Sequence, residues 1–225
     1  RQYKVRSVLF EGISGLSRDE LKKLLTTKEK SFFDGGNFIA SNMDADKSAI
    51  VNYYTTKGYP DAVITSSEVV PLDEESTDST RYVNIVYTID EGQLWTIGDI
   101  TFSGNTIFSS DDISSLTTVT EGERYNSERI SGIYESIASL YYDNGYVYSV
   151  VYPEIKKEEG NRVSISFIIT EGVQTKVEEI RINGLTKTKP YVLERELAFK
   201  VGDVFSRSAF IQSQQNMYNT SLLKN

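Results

Sequence analysis

The chain of 225 residues contains no cysteine and no histidine. Those absences exclude a disulfide framework, a Cys/His zinc site, a thiol nucleophile and any triad that moves its proton through imidazole. No apolar run approaches the roughly 20 residues that a membrane-spanning helix needs. Neither the phosphate-loop spacing nor the dinucleotide glycine fingerprint occurs. Basic side chains are outnumbered 24 to 32, for a net charge of −8. That balance argues against nucleic acid as a partner, because such affinity rests on clustered Lys and Arg. The start, Arg1-Gln2-Tyr3-Lys4, is neither an initiator nor a signal peptide, so the chain is expected to be a piece of a longer one. What is present is ordinary globular composition, 39% hydrophobic, 12% aromatic and 25% charged.

A repeat organises it. Phe10-Glu11-Gly12, Phe102-Ser103-Gly104 and Ile182-Asn183-Gly184 each close an alternating apolar stretch, with their glycines 92 and 80 residues apart. Gly35, Gly122 and Gly202 each stand three residues before an aromatic. Gly58-Tyr59 matches Gly145-Tyr146, and Asp90-Glu91-Gly92 matches Thr170-Glu171-Gly172. The steps of 23 residues (Gly35 to Gly58, Gly122 to Gly145) and 12 residues (Gly92 to Gly104, Gly172 to Gly184) are identical between repeats. The first repeat carries surpluses of 5 and 7 residues, which account for the whole difference in period. Such order and spacing mark a tandem array, with domains predicted at 1–93, 94–173 and 174–225.

Within a repeat, Val5 to Phe10, Ile97 to Phe102 and Val177 to Ile182 are predicted first strands, each stopped by a glycine turn. Ser17-Arg18-Asp19-Glu20 is a capping box ahead of Leu21, Leu24 and Leu25. Thr188-Lys189-Pro190 places proline in a first helical turn, where its missing N–H costs nothing. Ile130, Ile133, Ile137, Leu140 and Tyr141 share one face of a second helix, which Gly145 ends as Gly58 does in the first repeat. Tyr82 to Ile89 and Val163 to Ile169 alternate as strands. The order is β-α-α-β-β, an α+β fold with two helices on one face of a three-stranded mixed sheet. The surplus residues fall near 28–34, between the helices, and at 73–79, in the last hairpin, where polar growth is tolerated. The third repeat runs through Tyr218-Asn219-Thr220-Ser221-Leu222-Leu223 without its last two strands, so its helices are expected to lie uncovered.

A βααββ unit of this size with these Gly-aromatic and Glu-Gly marks resembles the POTRA (polypeptide-transport-associated) domain. The array is similar to the periplasmic arm of the outer-membrane protein assembly factors. The third repeat carries the likeness best, in Val177 to Gly184, Val192-Leu193-Glu194-Arg195-Glu196-Leu197 and Val201-Gly202-Asp203-Val204-Phe205-Ser206, in the order of the barrel-proximal domain. The resemblance implies a periplasmic location, no catalysis, no cofactor and a C-terminal membrane β-barrel in the parent chain. It implies unfolded outer-membrane proteins and accessory assembly lipoproteins as partners. It also leaves the first strand of each terminal hairpin at an open edge, Ala62 to Val70 and Val147 to Ile155. An incoming extended segment can add to such an edge as a further strand. The client contacts are then Ala62, Val63, Ile64, Thr65 and Ser66 on one edge and Val147, Tyr148, Val150 and Tyr152 on the other. Glu194, Arg195 and Glu196 match the family's charged first-helix motif, where an accessory subunit would dock. The alternatives are the arm of a two-partner secretion or import-pore transporter, or an adhesive repeat with no client.

Candidate chemistry is thin. Carboxylates cluster at Asp73-Glu74-Glu75, Asp111-Asp112, Glu158-Glu159 and Glu178-Glu179, and Asp44-Ala45-Asp46 opens a Ca²⁺-loop spacing. A catalytic dyad needs acids that converge with separated pKa values, whereas these read as solvated surface. No catalytic or metal residue is assigned. Most of the 15 Tyr and 10 Phe read as core, with Tyr146, Tyr148 and Tyr152 predicted on a solvent-facing side of a strand. Asp61 and Glu68 read as charges that guard the first edge against aggregation.

Overall fold

The computed structural model describes residues 2–77, 79–184 and 189–220. Strand β1 (Gln2–Glu11) leads to helices α1 (Arg18–Leu24) and α2 (Ala40–Thr56), then to a hairpin of β2 (Val63–Pro71) and β3 (Thr80–Asp90). The same order returns as β4 (Thr96–Ser103), α3 (Ser110–Ser114), α4 (Ser127–Asp143), β5 (Val150–Glu158) and β6 (Arg162–Thr170). Helices α5 (Pro190–Glu194) and α6 (Arg207–Asn219) follow. The sheets have strand orders β1-β3-β2 and β4-β6-β5. In the first, β3 is central, parallel to β1 and antiparallel to β2. The chain therefore adopts the α+β, βααββ architecture with a mixed three-stranded sheet.

Alternation decides which side of each sheet is buried. Val83, Ile85, Tyr87 and Ile89 of β3 join Val5, Val8 and Phe10 of β1 in a core closed by Leu21, Leu25, Ile50 and Tyr54. Val5 and Val8 are three residues apart yet both point inward, because the register shifts between Val5 and Ser7. In the second repeat Val163, Ile165, Phe167 and Ile169 of β6 are buried, as are Ile130, Ile133, Ile137 and Tyr141 of α4. The capping box at Ser17 forms with both of its bonds. Gly12 and Gly104 turn each chain off its first strand at φ +76° and +79°, where a Cβ would stand 2.1 Å and 2.0 Å from the carbonyl oxygens of Ile89 and Ile169. Only glycine fits there.

By contact density the chain divides into two compact bodies, Arg1–Gly98 with Glu121–Arg129 and Lys157–Val163, and Asp99–Thr120 with Ile130–Lys156 and Ser164–Asn225. The first body takes in the opening of the second repeat. Trp95 N donates to Gly58 O at 2.7 Å and its indole N–H to Asp61 at 3.0 Å, while Lys157 pairs with Asp61 and lies over the Trp95 ring. The second body holds an equivalent joint, Thr175 N to Gly145 O at 2.8 Å. There Asp143 also accepts from Ser208 N at 2.7 Å at the start of α6.

Three readings need correction. Val177 to Ile182 is not a strand, because no strand among the described residues lies beside it; it keeps only the Lys176–Val204 bridge and the paired bonds between Val177 and residues 202–203. Asp61 does not merely guard an edge, since Trp95 and Lys157 hold its carboxylate. Asp44-Ala45-Asp46 is not a solvated loop but part of α2. Its Asp46 is fully buried and accepts from Thr26 N at 2.6 Å and from Thr27 N, fastening the link between α1 and α2. Pro190 takes the first-turn position of α5 as expected. Thr188, Ser221, Leu222 and Leu223 lie outside the described residues.

Candidate functional site

In the first sheet, β1 and β2 are both edges, but among the described residues only β1 is covered. The segment between the helices lies along β1. Val5 N donates to Gly36 O at 2.7 Å, Lys30 N to Val5 O at 2.8 Å and Phe38 N to Tyr3 O at 3.0 Å. The Glu29 carboxylate takes Val8 N at 2.7 Å and the Lys22 ammonium at 2.7 Å. Burial opposes ionisation of Glu29, but these bonds outweigh it and hold its pKa below the usual carboxylate range. The opening of β4 is covered in the same way by the bonds of Trp95 and Ile97 to residues 122–125.

Among the described residues, strand β2 has no such cover. It pairs with β3 from Val63–Asp90 to Pro71–Val83, with a shift between Ile64 and Ser66 that leaves Thr65 out of the ladder. Val63 is 50% exposed, Thr65 and Glu68 are exposed, and Ile64 and Ser66 are half-buried. Pro71 ends the strand, a residue that a sheet tolerates only at an edge or an end. Ala62 precedes β2 and is buried in the core.

On β5, Val150 and Tyr152 are 59% and 60% exposed and alternate with the buried Val151. Val147 and Tyr148 are not in this strand: they lie in the turn before it, with Tyr148 68% exposed. Tyr146 is not on the solvent face either. Its ring meets Tyr141 at 6.1 Å and Phe108 at 6.4 Å, and that aromatic cluster turns it inward. Glu194 ends α5, Arg195 caps it and Glu196 follows, with Arg195 Nε 3.1 Å from the Glu196 carboxylate. The two edges belong to separate sheets, and neither includes these three residues.

Sequence reasoning treated Glu91 and Glu171 as punctuation, and the structure gives them work. Glu91 is buried and accepts from Ser14 Oγ at 2.6 Å, Ser14 N at 2.9 Å, Gly15 N and the Tyr54 hydroxyl at 2.7 Å. Glu171 accepts from Thr106 Oγ1, Thr106 N, Ile107 N and the Tyr141 hydroxyl. Each carboxylate thus ties the end of the last strand to the turn after the first strand and to the second helix. The signal was available: Tyr54 and Tyr141 stand four residues before the matched Gly58 and Gly145, and Ser14 and Thr106 two after Gly12 and Gly104. Burial pushes both tyrosines' pKa values upward, helped by the facing carboxylates, so they remain donors. No group of His, Cys, Asp or Glu able to hold a metal ion occurs among the described residues.

A helix-backed sheet with one edge blunted and one left open leaves backbone N–H and C=O groups unpaired along the open edge. A family model described as POTRA, surface antigen variable number repeat, matches residues 3–92, 95–172 and 175–223. The chain belongs to the POTRA family, and its repeats are of the type found in BamA. A Treponema pallidum protein provisionally named as an outer membrane protein assembly factor is 32% identical over 221 residues, 97% of this chain and 26% of the relative. The outer membrane protein assembly factor BamA of Neorickettsia risticii is 23% identical over 220 residues, 96% of this chain and 29% of that protein. The crystal structure of Haemophilus influenzae BamA POTRA3-5 shares the fold, with a TM-score of 0.74 at 19% identity over 100% of this chain and 88% of its own. The chain spans 24–29% of the length of the curated relatives it matches. POTRA domains of this type form the periplasmic part of an outer-membrane protein, and that is the place of this chain.

Proposed function

We propose that the chain is a non-catalytic docking arm for the assembly of outer-membrane β-barrel proteins, with POTRA domains at 1–93, 94–173 and 174–225. Unfolded barrel precursors add as an extra strand to β2 at Val63 to Ser66, and to β5 at Val150 and Tyr152. Accessory lipoproteins dock at Glu194, Arg195 and Glu196, and the parent chain continues into a membrane barrel. The names of the relatives support the assembly role, and one observation carries the strand-addition reading: β1 is covered along its edge while β2 is not. Pairing through the backbone gives affinity with little demand on side chains, which suits many clients of differing sequence.

The test is an NMR titration with an extended amphipathic peptide taken from a barrel strand. Shifts confined to residues 62–71 and 150–158 are expected. Val63→Pro, verified as folded by circular dichroism, should remove the first set while leaving the second. Absence of shifts at saturating peptide would sink the reading.

A further inference from the structure

The segment that blunts β1 also carries the most exposed apolar side chains among the described residues. Phe32 and Phe33 are each 96% exposed, and their rings meet edge to face at 5.2 Å. They are held rather than loose. Ser31 N donates to Asp34 O at 2.9 Å, Asp34 N to Ser31 Oγ at 3.1 Å, and Gly36 N to the Asp34 carboxylate at 2.8 Å. Val5 anchors both sides of this turn through Lys30 and Gly36. Two phenyl rings held at the centre of a closed turn are left to water by the described residues, so any burial they gain comes from beyond those residues.

The charge around them leans positive once the Lys22–Glu29 pair is set aside. Lys28 and Lys30 are exposed and have no acidic partner among the described residues: Lys28 donates to Leu25 O at 2.6 Å, and Lys30 donates to the Tyr82 hydroxyl and lies over its ring at 4.7 Å. Glu29 is occupied by Lys22 and Val8 N, and Asp34 is folded into the turn. In a chain of net charge −8, the segment that carries the rings keeps two exposed ammoniums bonded only to neutral acceptors, against the one exposed carboxylate of Asp34. A specific protein interface buries about 800 Å² on each side, far more than two rings on a narrow turn supply. Two rings with flanking lysines do meet the requirements of a bilayer interface, where rings sit below the headgroups and ammoniums among them.

We propose that the Phe32-Phe33 turn is a lipid anchor that seats the first repeat on an anionic phospholipid surface. Its contact is weak and reversible, since two rings and two cations fall short of stable anchoring. It does not depend on the strand-addition reading, whose peptide shifts are measured without lipid.

The experiment is co-sedimentation of the full chain with vesicles rich in phosphatidylglycerol and with vesicles of phosphatidylcholine alone. Binding to the anionic vesicles, falling with salt, is expected. Phe32→Ser with Phe33→Ser should weaken it about a hundredfold, roughly tenfold per ring. Lys28→Gln with Lys30→Gln should weaken it several-fold and flatten its salt dependence. Both variants should keep the parent's circular dichroism, because these side chains do not support the core. Equal binding by the Phe variant would overturn the proposal, as would failure of the parent chain to sediment with anionic vesicles at low salt. Capture of a soluble protein by the tip, with vesicles left unbound, would also overturn it and make the turn a protein plug.

Discussion

At the scale of single residues, the buried Glu91 and the half-buried Glu171 show how a carboxylate can be withdrawn from water to advantage. Burial opposes the charge of each, but the hydroxyl and backbone N–H donors around it more than offset that cost, and both pKa values lie below the ordinary 4.5. A carboxyl whose pKa is lower folded than unfolded contributes fully above its unfolded pKa and loses that contribution as pH falls through the folded value. Stability to urea should therefore hold steady near neutrality and fall below about pH 4.5. Glu91→Gln keeps the shape but cannot satisfy the same donors, so it should cost about 2–3 kcal/mol at pH 7 and flatten the acid side of the profile. A Glu91→Gln chain as stable as the parent at pH 7 would show that the clamp carries no weight. The sequence displayed these glutamates as a recurring mark but not as a clamp, because Ser14 lies 77 residues from Glu91.

At the scale of elements, what could be read depended on whether an element is defined by its own pattern. Strands β1, β3, β4 and β6 alternate between sheet faces, and their pattern gives them away. Strand β5 begins at Val150 rather than Val147, because Gly145-Tyr146-Val147-Tyr148 alternates in sequence while Tyr146 turns into the aromatic cluster. Val177 to Ile182 fails for a deeper reason: a strand is a relation between neighbours, and none among the described residues is beside it. The blunting of β1 was also invisible, since residues 28–34 read only as surplus length. Glu29 gives that cover a test. Glu29→Ala would free Val8 N–H on the β1 edge and release Lys22, for about 1 kcal/mol or less, since the ion pair is partly exposed. The larger expected effect is association, with two β1 edges pairing across chains. Sedimentation velocity should show concentration-dependent dimers absent from the parent. A strictly monomeric variant would mean that the backbone bonds of Val5 and Phe38 suffice to guard the edge.

At the scale of the whole molecule, three sequence repeats give two sheets, and the third repeat lives on different terms. The bonds that open a repeat are built three times: Val5, Ile97 and Val177 each exchange backbone hydrogen bonds with the segment before the second helix. Among the described residues, the sheet that follows forms twice. Among the described residues of the third repeat only Leu193 and Ser213 are buried, while Phe210, Ile211 and Tyr218 are exposed. Helical stability comes mostly from burying an apolar face, so α6 should open far more readily than α4, which buries Ile130, Ile133, Ile137 and Tyr141. Amide hydrogen exchange of the isolated chain should rank accordingly, with the central strands β3 and β6 slowest, α4 next and α6 exchanging first. If α6 instead matched α4 in protection, some part of the chain would have to cover its apolar face. The third repeat would then be a finished domain, and the partner surface proposed at Glu194, Arg195 and Glu196 would need to be sought on that covered form.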